Sequence, residues 1–162
     1  MIHAIIDIGS NTVRMAVYQL SGASVEQVMK KKDTTVGLAS FIRDNVLEQR
    51  GIERLIYALQ DFRKLLAALR ISSVTIFTTG ALRNAANSRE AIEEIKERTG
   101  LSVYVIRGEE EAELDFIGAT HDLAAEAGLL VDIGGASTEI VHYEAHKIVR
   151  KVSLPVGSLY LH

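Results

Sequence analysis

Two stretches of this chain repeat one pattern. Ala4–Tyr18 reads AIIDIGSNTVRMAVY, and Leu129–Tyr143 reads LLVDIGGASTEIVHY. With Asp7 set on Asp132, Asp-Ile-Gly meets Asp-Ile-Gly and Tyr18 meets Tyr143. Each copy is an apolar run, an Asp, a small-residue turn and a second apolar run. That pattern predicts strand, tight turn, strand, because β-branched residues favour the pleat and Gly allows the turn. A turn without side-chain bulk lets several backbone N–H groups point at one anion. The Asp closing the preceding strand stands beside that anion, where a carboxylate is repelled unless a cation lies between them. Two such loops predict two jaws gripping one phosphorylated ligand. A pair of ordinary hairpins is the plainer alternative, but a duplicated match of this length favours phosphate.

Along the chain, Ile2–Gly9, Thr12–Leu20 and Ser24–Lys32 read as three successive strands joined by Gly-Ser-Asn and by Ser21-Gly22-Ala23, an antiparallel meander. Asp33–Asn45, with Gly37 and mixed polarity, reads as loop, with one short helical turn as the alternative. Val46–Arg70 reads as a long helix. Ile52, Leu55, Ile56, Leu59, Phe62, Leu65, Leu66 and Leu69 recur at three- and four-residue steps and predict one buried face. Gly51 in the first turns predicts an irregular start. Val74–Thr79 reads as a buried strand, Ala81–Ala86 as a short helix and Arg89–Arg98 as a helix capped by Ser88 and stopped by Gly100. Leu101–Ile106 reads as a strand, and Glu109 to about Ala127 as a helix ended by Gly128. Leu129–Ile133, Thr138–Tyr143 and Lys147–Ser153 read as three more strands. The only proline, Pro155, follows them, where it cannot interrupt the sheet.

The order is βββαβαβα followed by a new βββ. It predicts an α/β domain over residues 1–127, a mixed sheet covered by helices, and the opening strands of a second, truncated domain over 128–162. The exposed edges of an incomplete second sheet would invite association, as in a homodimer.

Composition narrows the function. With 48% hydrophobic content, 162 residues can bury a core. A net charge of −3 argues against a general nucleic-acid or membrane surface, and Lys30-Lys31-Lys32 reads as a solvated strand end. Absence of Cys excludes disulfides, thiolate metal sites and a thiolate nucleophile. No apolar run is of transmembrane length and no charged leader precedes the first strand, which predicts a cytoplasmic protein.

Gly108-Glu109-Glu110-Glu111-Ala112 puts three carboxylates on the first turn of a helix. Acids there stabilise the helix dipole by roughly 0.3–1 kcal/mol each, which accounts for at least one of them. Consecutive helical residues point about 100° apart, so at most one or two can face a cleft. A carboxylate held there stays ionised at neutral pH and can orient or deprotonate a water. Arg83, after the Thr78-Thr79-Gly80 strand end, can pair bidentately with phosphate or, equally, form a surface salt bridge with the glutamates. Arg14 reads as structural. The five histidines lack metal-ligand spacing.

Asp7-Ile8-Gly9-Ser10-Asn11-Thr12, Thr79-Gly80-Ala81-Leu82-Arg83, Gly108-Glu109-Glu110-Glu111-Ala112-Glu113-Leu114 and Val131-Asp132-Ile133-Gly134-Gly135-Ala136-Ser137-Thr138-Glu139 stand in one order and spacing. From Ile2 to about Leu161 the chain resembles the N-terminal part of the exopolyphosphatase/guanosine pentaphosphate phosphohydrolase family. That family lies within the actin, sugar-kinase and heat-shock ATPase superfamily. The resemblance implies two ribonuclease-H-like domains flanking a cleft and Mg²⁺-assisted hydrolysis of a terminal phosphoanhydride. Its substrates would be inorganic polyphosphate or guanosine pentaphosphate. It implies that Gly9, Ser10 and Asn11 form one phosphate loop and that Gly134, Gly135, Ala136, Ser137 and Thr138 form the other. Arg83 would bind phosphate, Glu111 would be catalytic, and Asp132, with Asp7, would hold Mg²⁺. Ala136 departs from a usual Gly, and most of a second domain is missing. The alternatives are a non-catalytic polyphosphate or nucleotide sensor and a superfamily kinase using ATP.

Overall fold

The computed structural model describes residues 1–22, 24–121 and 123–159, with backbone alone at Lys30 and Lys31. Ala23, in the expected Ser21-Gly22-Ala23 link, lies outside the described residues, as does Leu161, where the resemblance ends.

Strands β1 (Ile2–Ile8), β2 (Thr12–Ser21) and β3 (Ser24–Thr35) form the expected antiparallel meander. A 3₁₀ turn (Leu38–Phe41) and a miniature hairpin, β4 (Ile42–Arg43) with β5 (Val46–Leu47), lead into α1 (Gln49–Ala68). Next come β6 (Val74–Thr78), α2 (Gly80–Asn84), α3 (Ser88–Thr99), β7 (Tyr104–Val105) and α4 (Gly108–Thr120). The chain continues through β8 (Gly128–Ile133), β9 (Thr138–Glu144) and β10 (Lys147–Leu154). The first sheet runs β3-β2-β1-β6-β7, with β6 parallel to both β1 and β7. The second is the antiparallel meander β10-β9-β8.

One apolar cluster holds the first sheet and its helices together. Ala4, Ile6, Ile8, Val13, Met15 and Ile76 from the strands meet Ile52, Leu55, Ile56, Leu59, Phe62 and Leu66 of α1 and Ala91 and Ile95 of α3. The three- and four-residue spacing on α1 thus forms the buried stripe expected, except that Leu69 stands past the last turn and is exposed. Phe62 is fully buried, and truncating such a side chain costs about 3–5 kcal/mol.

Several boundaries differ from the sequence reading. Helix α1 starts at Gln49 because Val46 and Leu47 pair in β5. Gly51 does not disturb it: a Cβ there would come within 2.8 Å of Phe41 and 2.9 Å of Leu47, so the glycine permits close packing. Asn87, not Ser88, occupies the cap of α3, and its side chain bonds both backbone groups of Leu47 instead of its own helix. Gly100 does stop α3, at φ 71°. The strand expected over Leu101–Ile106 is reduced to Tyr104 and Val105, and α4 ends at Thr120, well before Ala127.

Helix α4 packs apart from the first core. Its buried Ala112 and Phe116 lie with Val141 and Tyr143 of β9 in a separate cluster, and the Phe116 and Tyr143 rings are 5.2 Å apart. The helix covers one face of the second sheet. The other face, with Leu129, Val131 and Ile133, is exposed.

Candidate active site

The two repeats fold into the same turn. Gly9 N–H donates to the Thr12 carbonyl at 3.1 Å, and Gly134 N–H donates to the Ser137 carbonyl at 2.9 Å. The strand registers also correspond: Asp7 faces Arg14 across β1–β2, and Asp132 faces Glu139 across β8–β9. Arg14 is satisfied by Asp33 on β3 at 3.0 Å, the structural role expected of it. Its counterpart Glu139 is only 2% exposed.

The turns converge on the start of α2. Ser10 is buried, and its Oγ accepts the Ala81 N–H at 3.2 Å, tying the first loop to that helix. A Cβ on Gly80 would lie 2.9 Å from the Ala136 Cβ, 3.2 Å from Ser137 Oγ and 3.3 Å from Ser10 Oγ. Both loops therefore close on one point. Ala136 does not have positive φ, and its methyl is buried in the first core, so the departure from Gly is accommodated. The residues after β10 strap the second loop down. Ser158 and Leu159 N–H groups donate to the Gly134 and Gly135 carbonyls, and the Thr138 hydroxyl donates to the Val156 carbonyl at 2.6 Å. With those carbonyls occupied, the loop keeps N–H groups as its polar offering.

The three glutamates of α4 separate by position. Glu110 reaches back to the Arg107 N–H at 2.8 Å and caps the helix. Glu109 is exposed. Glu111 turns inward, where Arg83 Nη1 donates to its Oε2 at 2.5 Å. Arg83 Nη1 also reaches the Ile106 carbonyl at 3.4 Å, and Nη2 lies 3.7 Å from Glu139 Oε1. The salt-bridge alternative for Arg83 is thus realised, although as a largely buried cluster and not on the surface. Burial pushes the Glu111 carboxyl up, against the hydrogen bond from Arg83; the nearby Glu139 raises it further, and Arg83's charge and the Thr79 hydroxyl oppose. Desolvation therefore outweighs the partner cation Arg83.

A 27% identical exopolyphosphatase of Cytophaga hutchinsonii superposes with a TM-score of 0.91, over 99% of this chain and 52% of that one. A Ppx/GppA member from Aquifex aeolicus, 31% identical, superposes with a TM-score of 0.80 over 97% of this chain and 52% of that one. The model of the Ppx/GppA phosphatase family matches residues 16–162. The chain belongs to the Ppx/GppA phosphatase family. It spans about half the length of these solved relatives. The fold is the α/β, ribonuclease-H-like class expected, with the mixed sheet that the order of elements predicted.

Three residues of this Ppx/GppA chain that the sequence reading did not single out join the site. Glu139 shares the inward face of β9 with Val141 and Tyr143, and a charge at an apolar position of an alternating strand was the available signal. Ser153 on β10 donates its hydroxyl to Glu139 Oε1 at 2.7 Å. Asp115 stands one helical turn after Glu111, between Ala112 and Phe116. Burial, then Asp132, Glu111, Glu139 and Asp7, push its carboxyl up to about 7. Its Oδ2 is buried without a hydrogen-bond partner.

Those mutually repelling carboxylates bear on the expected Mg²⁺. Hard oxygen donors suit Mg²⁺, and the orphaned Asp115 oxygen marks a region short of positive charge. Among the described residues no three acids or histidines converge on one point. This is compatible with an ion bound by one or two carboxylates, water and substrate phosphate. The residues fit.

Proposed function

We propose that this protein hydrolyses terminal phosphoanhydride bonds of inorganic polyphosphate or guanosine pentaphosphate. The observation that carries the reading is the Arg83–Glu111 pair set beside two matching turns. The N–H groups of Gly9–Asn11 and Gly134–Thr138 cradle phosphate oxygens, and the Arg83 guanidinium pairs with the terminal group. Glu111 orients the attacking water for in-line displacement, a reaction in which placement and electrostatics do most of the catalysis. Its raised pKa suits it to accept a proton from that water. Asp132 and Asp7 are the residues that would hold Mg²⁺, which when bound neutralises charge on the phosphate oxygens.

Among the described residues no helix is long and apolar enough to cross a membrane. A cytoplasmic location, without nucleic acid or membrane partners, is part of the same proposal.

The test incubates the protein with polyphosphate, guanosine pentaphosphate and ATP, with and without Mg²⁺, and measures free phosphate. Mg²⁺-dependent release from either of the first two is expected. Tight binding without release would instead make the chain a sensor, and turnover of ATP alone would point to the kinase alternative.

A further inference from the structure

We propose that Ser153 is a positioning residue that sets the phosphate-binding edge of Arg83 through Glu139. The proposal rests on the reading of Arg83 given above.

Glu139 is a buried carboxylate on the core face of β9, and a buried charge is tolerated only with partners. Its Oε1 accepts the Ser153 hydroxyl at 2.7 Å, and the same oxygen stands 3.7 Å from Arg83 Nη2. The contact with Ser153 is a hydrogen bond; that with Arg83 is longer than one. Ser153 also packs against Gly108, the first residue of α4, where any added Cβ would overlap it. One small hydroxyl residue therefore touches both the acid behind Arg83 and the start of the helix that carries Glu111. Ser153, Arg83, Asn84, Gly108, Glu109 and Pro155 line a single cleft of about 240 Å³.

The consequence concerns competition. Arg83 lies between two carboxylates, and an arriving phosphate must draw the guanidinium from Glu111 without losing it to Glu139. With its Oε1 occupied by Ser153, Glu139 steadies the far edge of Arg83 at a distance. Without that hydroxyl, the buried oxygen turns to the guanidinium for a full hydrogen bond, and Arg83 is held away from phosphate.

The experiment titrates the 162-residue chain with tripolyphosphate by calorimetry, comparing the parent, Ser153→Ala, Arg83→Gln and the double variant. Loss of a hydrogen bond to a charged group predicts about tenfold weaker binding for Ser153→Ala. No further loss is expected when it is added to Arg83→Gln. In turnover of polyphosphate the change should appear in KM and leave kcat near the parent value. Ser153→Cys, similar in size but a weaker donor, should fall between, and it carries the comparison if the alanine variant does not fold. An equal loss in both backgrounds would mean that Ser153 acts independently of Arg83 and would overturn the proposal. So would unchanged binding by Ser153→Ala while Arg83→Gln binds weakly. If Arg83→Gln itself binds as the parent does, the phosphate role of Arg83 is what fails, and the Ser153 proposal fails with it.

Discussion

Arg83 Nη1 lies 2.5 Å from Glu111 Oε2, with the two side chains only 13% and 16% exposed. The proposed phosphate ligand and the proposed water-orienting group thus hold one another, and any phosphate enters in competition with that bond. Removing Arg83 therefore costs stability as well as binding. Taking it away removes the cation 3.7 Å from Glu139 and strips Glu111 of its hydrogen-bonded partner. Arg83→Ala should lose up to about 3 kcal/mol of stability as well as phosphate affinity. Arg83→Lys should recover much of the stability but not the affinity, since an ammonium cannot reproduce the planar fork. Thermal melts beside tripolyphosphate titrations measure both. Parent-like affinity in the lysine variant would remove bidentate pairing from the account.

The neighbouring glutamates should separate function from folding. Glu111→Gln keeps shape but removes the basic lone pair, and losing such a group typically costs about 10²–10⁴ in rate. Glu110→Gln weakens the bond to the Arg107 N–H and should lower the melting temperature slightly with turnover retained. Exposed Glu109 should tolerate the same change. Steady-state assays with melts decide it; a dead Glu110→Gln beside an active Glu111→Gln would reverse the assignment.

Asp115 makes stability depend on pH. Folded, its carboxyl releases its proton near 7; unfolded, near the ordinary 3.8. Between those values the folded state binds more protons, so in metal-free buffer stability falls as pH rises from about 4 through 7. The group is only partly buried, and solvent screening reduces the effect to on the order of 1–2 kcal/mol. Asp115→Asn should flatten this slope and raise stability at pH 8. Denaturant midpoints at pH 5 and 8 measure it, and an unchanged slope would remove Asp115 as its source.

Hydrogen exchange should distinguish the two sheets. Strand β6 lies between β1 and β7, whereas β8 is an edge strand with Leu129, Val131 and Ile133 exposed. Amides of Gly128–Ile133 should exchange faster than those of Val74–Thr78, although α4 slows exchange on the face it covers. Equal protection that disappears on dilution would show a second copy covering the open face.

The local code of this protein was legible in its sequence. Alternating apolar residues around Asp-Ile-Gly set both hairpins, the α1 periodicity set its buried stripe, and Gly100 set a helix end, because each depends on neighbours a few residues away. The convergence of Glu111 with Arg83 was only an option in the sequence, equal in weight to a surface ion pair. Tertiary structure decided what depends on distant partners. Val46 and Leu47 pair in a hairpin ahead of α1, and Asn87, 40 residues on, bonds the Leu47 backbone. Helix α4 belongs with the second sheet because Phe116 finds Tyr143 there. Charge was the least legible property. The position of Glu111 on a helix N-terminus predicts an easily ionised acid, yet burial, with Glu139 beside it, raises its pKa against Arg83, because desolvation is set by what packs around a group and not by its place in the chain.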